Sequence, residues 1–101
     1  AFPGTDTHRR ALAEGVKLHG CTVHFVTPEL DRGPVIAQAA VPVLADDDED
    51  ALAARVLEQE HRLYPAAVSW FLDGRLRLDG RRVTLNAMGA PPAPLLYPDP
   101  R

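Results

Sequence analysis

Apolar and polar side chains alternate along two stretches of this chain, Gly20–Thr27 and Val35–Val43. A period of two predicts β-strands, because successive side chains of a strand point to opposite faces of the sheet. Residues 28–34 connect the two stretches. A link this short predicts antiparallel pairing, since a parallel pair needs a much longer crossover. Pro42 lies near the end of the second stretch and favours an edge strand or a bulge, because proline donates no backbone hydrogen bond.

A short helix is predicted before the first strand. It spans Thr7–Glu14, with Thr5 or Asp6 as the N-cap and Gly15 as the C-terminal stop. The basic residues near its start, together with His8, are typical of a solvated turn.

A long second helix, Glu49–Asp73, begins in an acidic run at residues 46–50. Carboxylates at a helix N-terminus satisfy free N–H groups and oppose the helix dipole, so the run favours a structural cap. Pro65 predicts a kink or a restart, because proline removes one backbone donor, and Gly74 predicts the stop. One face of the helix carries an apolar stripe: Leu52, Val56, Leu63, Ala67 and Trp70.

The last part of the chain predicts a hairpin followed by a tail. Residues 76–85 alternate around Asp79-Gly80, a pair typical of hairpin turns. Five of the ten prolines lie in residues 89–101, which predicts an extended or mobile end. We therefore expect an α/β fold over residues 1–85 and a Pro-rich tail over residues 86–101.

Composition narrows the class of protein. The 101 residues, of which 46% are hydrophobic, suffice for one small domain. The formal net charge of −3, with no basic cluster larger than an arginine pair, argues against nucleic-acid binding. No apolar run is long enough to span a bilayer, so no membrane partner is expected.

The single cysteine and the first ten residues indicate the redox environment of the protein and the kind of segment with which the sequence opens. Cys21 is alone, which rules out a disulfide within the chain and a cysteine-based metal site. We expect a reducing, cytoplasmic environment. The opening AFPGTDTHRR lacks the basic start and apolar core of a signal peptide. The first residue is alanine and not methionine, and the first four residues, AFPG, are typical of the middle of a loop. We therefore expect the sequence to be the later part of a longer protein.

The loop between the two strands, TPELDRG, carries more charge than a tight turn requires. Asp31 beside Gly33 has two interpretations, a turn former or a general base held at a strand end. Glu29 is expected to point to water. His24, on the preceding strand, is either a hydrogen-bonded structural residue or part of a proton-handling pair with Asp31.

Glu60 is the third candidate, because it falls at the margin of the apolar stripe of the long helix. Gln59 falls nearer the centre of that stripe, and His61 is expected to be exposed. Polar groups on an inward face need partners, which either the sheet or a ligand supplies. No two histidines are spaced as metal ligands on one helix face, and no histidine pairs with a cysteine at ligand spacing, so no metal site is expected.

Three blocks of the sequence closely resemble, in the same order, the second half of the glycinamide ribonucleotide formyltransferase family. They are FPGTDTHRRALAEG, GCTVHFVTPELDRGPVIAQAAVPV and RVLEQEHRLYPAAVSWFLDGRL, and together they span about residues 2–85. The resemblance implies that residues 1–85 are the C-terminal part of a formyltransferase domain, with a mixed sheet, an antiparallel strand pair and a long C-terminal helix. It implies transfer of a formyl group from 10-formyltetrahydrofolate to the amine of glycinamide ribonucleotide in purine biosynthesis.

The resemblance also assigns roles to residues. Asp31 matches the family's active-site aspartate, which would help a histidine and the tetrahedral intermediate exchange protons. Glu60 matches the glutamate that holds the nucleotide substrate. The loop that lies along the folate corresponds to Thr27, Pro28, Glu29, Leu30 and Asp31.

The sequence departs from the family pattern in three respects. Asp6 stands where the family often has histidine, and Leu57 stands where a polar residue is expected. The glycine-rich phosphate loop and the catalytic asparagine and histidine belong to the family's first half, which this sequence does not contain. Because such groups act as a unit, we expect residues 1–101 alone to be inactive.

Two other functions remain open from the residues. Formyltetrahydrofolate deformylases have a similar HFVT-x-x-LD-x-GP block, although the QEH…YP…WFLDGRL helix favours the transferase. A non-catalytic folate-binding or structural fragment is the third possibility. Methionyl-tRNA formyltransferase is disfavoured, because the loop differs and the chain has no basic extension for tRNA.

Overall fold

The computed structural model describes residues 6–26, 33–86 and 91–101, which form two helices and four strands. In chain order these are α1 (Thr7–Glu14), β1 (Leu18–His24), β2 (Val35–Pro42), α2 (Glu49–Leu72), β3 (Leu76–Asp79) and β4 (Arg82–Leu85). Strands β1 and β2 pair antiparallel, and so do β3 and β4. The predicted α/β fold, with its antiparallel pair and long helix, is confirmed. The described residues contain no parallel strand that would make the sheet mixed.

The core forms where α2 crosses one face of the β1–β2 pair. The cross-strand pairs His19–Val41 and Cys21–Ala39 lie on that face. Five buried side chains make up the main cluster: Ala11, Val41, Val43, Leu52 and Val56. Of the predicted stripe on α2, Leu52, Val56 and Ala67 are buried, as a period of 3.6 residues requires. Burial of these apolar side chains is the main force that holds α2 on the sheet.

Strand β1 begins and ends earlier than the sequence predicted. It covers Leu18–His24 instead of Gly20–Thr27. Its register with β2 shifts between Val23 and His24. A bulge of this kind ends regular pairing, and alternation of residue types does not reveal it.

The predicted interruption of α2 at Pro65 is wrong, because the helix runs unbroken from Glu49 to Leu72. Pro65 and His61 are both exposed. The carbonyl of His61, which loses its intrahelical donor, therefore lies on the solvent side of the helix, where water can replace the lost hydrogen bond. Packing of the opposite face on the sheet then keeps the helix continuous.

Both helices end in the same backbone motif. After α1, the N–H of Gly15 donates to Leu12 and that of Val16 to Ala11; after α2, Gly74 and Arg75 repeat the pattern. This is the Schellman arrangement, which places a glycine at positive φ. Gly15 has φ 72°, which agrees with its predicted role as the stop.

The start of α1 differs from prediction in its chemistry. Asp6 occupies the N-cap position, but its side chain makes no capping hydrogen bond. Instead its carboxylate forms an ion pair with Arg9 at 2.8 Å. Both side chains are exposed, so this pair contributes little to stability.

The acidic run before α2 is structural. Asp48 is the N-cap, and its carboxylate accepts from the backbone N–H of Ala51 at 2.8 Å. Asp47 accepts from both terminal nitrogens of Arg55, at 2.6 and 2.9 Å, and from the N–H of Leu44 at 2.8 Å. Arg55 also donates to the carbonyl of Pro42 at 2.9 Å. The pair therefore ties the end of β2 to the first turns of α2.

We expect acid to weaken the fold through Asp47. The Arg55 guanidinium, followed by the Leu44 N–H, lowers the pKa of Asp47 from its usual 3.8 to about 2. A group whose pKa is depressed on folding stabilises the fold above its unfolded-state pKa, and that stability is lost as pH falls toward 2. Urea unfolding between pH 4 and pH 2 should therefore show a loss of stability that is reduced in Asp47→Asn. The exposed hairpin residue Asp79 provides the control, and Asp79→Asn should keep the native pH profile over this range. Equal profiles for native and Asp47→Asn chains would contradict the assignment.

The hairpin is confirmed, with its turn one residue later than predicted. Asp79 pairs with Arg82, so Gly80 and Arg81 are the two central residues. Residues 91–101 form neither helix nor strand. Tyr97 and Pro98 of this tail line a cavity of about 350 Å³ with residues that include Leu12 and Val43.

Candidate active site

The base of the loop that connects β1 to β2 is closed by backbone hydrogen bonds. The N–H of Phe25 donates to Pro34 at 2.9 Å, and the N–H of Gly33 donates to Phe25 at 2.7 Å. The five residues predicted to bind folate, Thr27 to Asp31, lie outside the described residues, so the position of the Asp31 carboxylate stays a prediction. Both ends of their loop are nonetheless held at the open end of the β1–β2 pair.

His24 is half-buried at the end of β1. Its Nδ1 lies 3.0 Å from the carbonyl oxygen of Phe25. Because a carbonyl only accepts, this contact places a proton on Nδ1 and leaves Nε2 of the neutral ring as an acceptor. The partner of His24 among the described residues is thus a backbone group, as expected for a hydrogen-bonded structural histidine. The predicted pairing of His24 with Asp31 stays a prediction.

An aromatic contact joins the loop base to α2. The rings of Phe25 and Phe71 meet edge to face, with centroids 6.1 Å apart and planes at 68°. Aromatic pairs in this geometry attract one another beyond their area burial. The contact therefore fixes the side of α2 that faces the loop.

Glu60 lies half-buried on α2, near β1. Burial, and next the negative charge of Glu60, raise the pKa of the Cys21 thiol. Cys21 consequently remains a neutral thiol, which is a poor nucleophile. The residues on either side of Glu60, Gln59 and His61, do not face β1 in the same way. The Oε1 of Gln59 accepts from Arg62 at 3.2 Å, and His61 is exposed as predicted.

Glu60 and the loop base lie on the same side of α2 but not in contact. Glu60 and Phe71 are eleven residues apart, which is close to three full turns. At 1.5 Å per residue, they are separated by about 16 Å along one face of the helix. The structure thus brings the loop base and the carboxylate predicted to bind the nucleotide to the same side of α2.

Two histidines, His8 and His19, meet between α1 and β1. The Nδ1 of His8 and the Nε2 of His19 are 3.2 Å apart, with ring planes at 88°. His19 is only 5% exposed. Burial, and secondarily His8, lower the pKa of His19. The expectation that His8 lies in a solvated turn is therefore wrong. His19 escaped notice because the strand was predicted to begin at Gly20, although the alternation continues back through His19 onto the face of Cys21.

Among residues 6–26, 33–86 and 91–101, no group of three or more histidine, cysteine, aspartate or glutamate side chains is placed to hold a metal ion. Within the same ranges, no helix is both long enough and apolar enough to cross a membrane.

Comparison with known proteins identifies the family. The formyl transferase family model matches residues 1–68. The chain is 54% identical, over 91 residues, to the phosphoribosylglycinamide formyltransferase of Escherichia coli K12. The match includes 90% of this chain and 43% of the relative, so the chain spans less than half the length of that enzyme.

Solved structures agree with this match. Glycinamide ribonucleotide transformylase 1 from Symbiobacterium toebii superposes with a TM-score of 0.78 at 55% identity, over 84% of this chain and 40% of that one. A formyltetrahydrofolate deformylase from Burkholderia mallei superposes with a TM-score of 0.75 at 36% identity, over 85% of this chain and 31% of that one. With two thirds of its length matched by the family model and the same fold in these relatives, the chain belongs to the formyl transferase family.

Proposed function

We propose that this chain is the second half of an enzyme that transfers a formyl group from 10-formyltetrahydrofolate to glycinamide ribonucleotide, in purine biosynthesis. The observation that carries the proposal is the 54% identity to the Escherichia coli phosphoribosylglycinamide formyltransferase, which extends over 90% of the chain. The deformylase from Burkholderia mallei is less similar, at 36% identity.

In this reaction the substrate amine forms a bond to the formyl carbon, and the bond from that carbon to the folate nitrogen breaks. One proton leaves the amine and one reaches the folate nitrogen, so a group that exchanges protons is required. We assign that role to Asp31, which lies two residues before the anchored Gly33. The loop Thr27 to Asp31 forms the folate side of the site, and no step requires a metal.

Glu60 binds the nucleotide substrate in this proposal. Its carboxylate accepts hydrogen bonds from hydroxyl groups, and bonds to a charged acceptor are stronger than neutral ones. Its position on the same side of α2 as Phe71 and the loop base supports this role, because the amine and the formyl group then meet between the two regions.

The remaining features of the proposal concern the chain as a whole. Residues 1–85 contribute to the formyltransferase domain, and residues 86–101 form a tail outside the site. The partners are two small-molecule substrates, with no nucleic acid or membrane, and the reaction takes place in the cytoplasm.

A chimaera tests the proposal. In it, residues 1–101 replace the matched segment of the Escherichia coli enzyme, which supplies the other part of the domain. We expect formyl transfer to glycinamide ribonucleotide, followed by folate absorbance, and none from the 101-residue chain alone. Release of formate to water without transfer to the amine would favour the deformylase, and turnover by the isolated chain would contradict our assignment of the missing groups.

The same chimaera tests Glu60. Glu60→Gln should raise KM for glycinamide ribonucleotide roughly 10- to 150-fold, because hydrogen bonds to a charged group contribute about 1.5–3 kcal/mol. The KM for folate should change little. Glu58→Gln provides a control at an exposed carboxylate on the same helix. Equal effects of the two substitutions would remove Glu60 from the site.

A further inference from the structure

We propose that one face of the β3–β4 hairpin binds the carboxylates of a glutamyl chain at the end of the folate co-substrate. We call this face the arginine face. It consists of Arg75, Arg77 and Asp79 on one arm of the hairpin and Arg82, Thr84 and Asn86 on the other. The choice of folate as the source of the chain rests on the proposed function, but the binding of carboxylates to the arginine face does not.

The register of the hairpin places these side chains together. The leucine and valine residues of the two strands pair with one another, and they alternate with the polar residues. The N–H of Asn86 donates to the carbonyl of Arg75 at 2.8 Å, which continues the pairing one step beyond the strands. Because successive side chains of a strand point to opposite faces, the polar residues share one face and the apolar residues share the other.

The hairpin is basic, although the chain as a whole is acidic. Residues 75–86 contain four arginines and one aspartate, a formal net charge of +3, whereas the whole chain carries −3. Within residues 6–26, 33–86 and 91–101, none of these four guanidinium groups forms an ion pair. This includes Arg82, although it pairs with Asp79 across the hairpin. Unpaired positive charges gathered on one face attract anions.

The arginine face carries a cavity of about 570 Å³, lined by residues that include Arg75, Arg77, Thr84 and Asn86. Guanidinium groups bind carboxylates through two parallel hydrogen bonds, and hydroxyl and amide groups donate further ones. Alternate residues of a strand are about 6.8 Å apart, so the arginines form a row along the hairpin. A row of this kind suits an extended chain with a carboxylate on each residue better than one compact anion.

The base of the hairpin adjoins the candidate active site. The N–H of Arg75 donates to the carbonyl of Trp70 at 2.9 Å. Phe71, the next residue after Trp70, contacts Phe25 at the loop base. The hairpin therefore begins beside the end of α2 that packs against the loop predicted to bind folate.

The chemistry of folate supplies a matching chain. The molecule ends in a glutamyl group, to which further glutamates are joined through γ-amide bonds, and each of them keeps a free carboxylate. Even at the roughly 3.3–3.6 Å per residue of an ordinary extended chain, three glutamyl residues reach about 10 Å. A folate that lies along the loop can thus extend its glutamyl chain onto the arginine face.

Nuclear magnetic resonance tests this binding without the reaction. Free γ-linked triglutamate, titrated into the 101-residue chain, should shift the Nε–H resonances of Arg75, Arg77 and Arg82. The double substitution Arg77→Gln/Arg82→Gln should weaken binding roughly 2- to 30-fold, the range expected for two exposed ion pairs. Both side chains are exposed, so the fold should be unchanged. Lys17→Gln is the control, because it removes an exposed positive charge at the end of β1 remote from the loop, and it should leave the dissociation constant unchanged.

The chimaera tests folate as the source of the chain. Its KM should be lower for triglutamyl than for monoglutamyl 10-formyltetrahydrofolate. The double substitution should reduce the ratio of the two KM values roughly 2- to 30-fold and leave kcat unchanged, because the arginines lie outside the reacting groups. Fluorescence titration with the same two folates gives the corresponding ratio of dissociation constants, and this measurement does not require formyl transfer.

Each outcome decides the inference. Tighter binding of the triglutamyl folate that depends on Arg77 and Arg82 supports it, whether or not the chimaera transfers formyl groups. Equal affinity of the chimaera for the two folates overturns it, even where triglutamate alone binds to the 101-residue chain. Binding of triglutamate that the double substitution and Lys17→Gln weaken equally overturns it as well, since the effect then comes from overall charge.

Discussion

Asp31→Asn in the chimaera is expected to lower kcat by about 10²- to 10⁴-fold, the range over which a positioned proton-transfer group contributes. The KM values for both substrates should change little, because the amide keeps the size of the carboxylate and loses only its charge and basicity. Steady-state kinetics with each substrate varied in turn measures this separation.

Glu58→Gln supplies the control for Asp31, because Glu58 is an exposed carboxylate on α2. The Glu58→Gln enzyme should keep a kcat close to that of the unmodified chimaera. If both substitutions lowered kcat equally, the loss would reflect a general change of charge and not proton transfer by Asp31.

Gly20→Ala is expected to destabilise the 101-residue chain by more than about 3 kcal/mol, beyond the usual cost of overpacking. A Cβ at residue 20 would lie 1.8 Å from the carbonyl oxygen of Ala39 and 2.8 Å from its carbonyl carbon. Both atoms belong to the backbone of β2, so no side chain can move aside and the two strands must separate. Native domains have only about 5–15 kcal/mol of stability, so this is a large share of the total.

Gly15→Ala separates the contact at Gly20 from the general effect of replacing glycine. Nothing lies within 4 Å of a Cβ at Gly15, but its φ of 72° disfavours other residues. We expect a cost of about 1–2 kcal/mol from this conformation alone. Urea unfolding followed by circular dichroism compares the two variants, and equal losses would mean that the close approach at Gly20 relaxes without separating the strands.

Much of the fold followed from local patterns. The alternation in β1 and β2, the short link between them and the glycine stop of α1 each depend on a few neighbouring residues, and the structure confirms them. The errors at Pro65 and at the end of β1 have a common cause. In both places, packing or hydrogen bonding with groups distant in the sequence determined the secondary structure. Intrinsic helix and strand propensities depend on local sequence and do not include such partners.

Local sequence patterns predicted less of the candidate site than of the fold. Glu60 was found because a carboxylate at the margin of an apolar stripe is unusual, and the structure places it near β1. The meeting of His8 with His19 and the pairing of Arg55 with Asp47 join residues from separate elements. No spacing rule within one helix or strand predicts them. The role of Asp31 came from family resemblance, and the composition of its loop alone fitted a turn equally well.

The closed base of the loop after β1 joins the two strands independently of the loop itself. Phe25 is hydrogen-bonded to both Gly33 and Pro34, so the strands are held together where the loop begins and ends. Lengthening such a loop costs little, about 0.6 kcal/mol for each doubling. A loop of different length or composition can therefore replace this one, and substrate preference can diverge between relatives while the pair of strands stays the same.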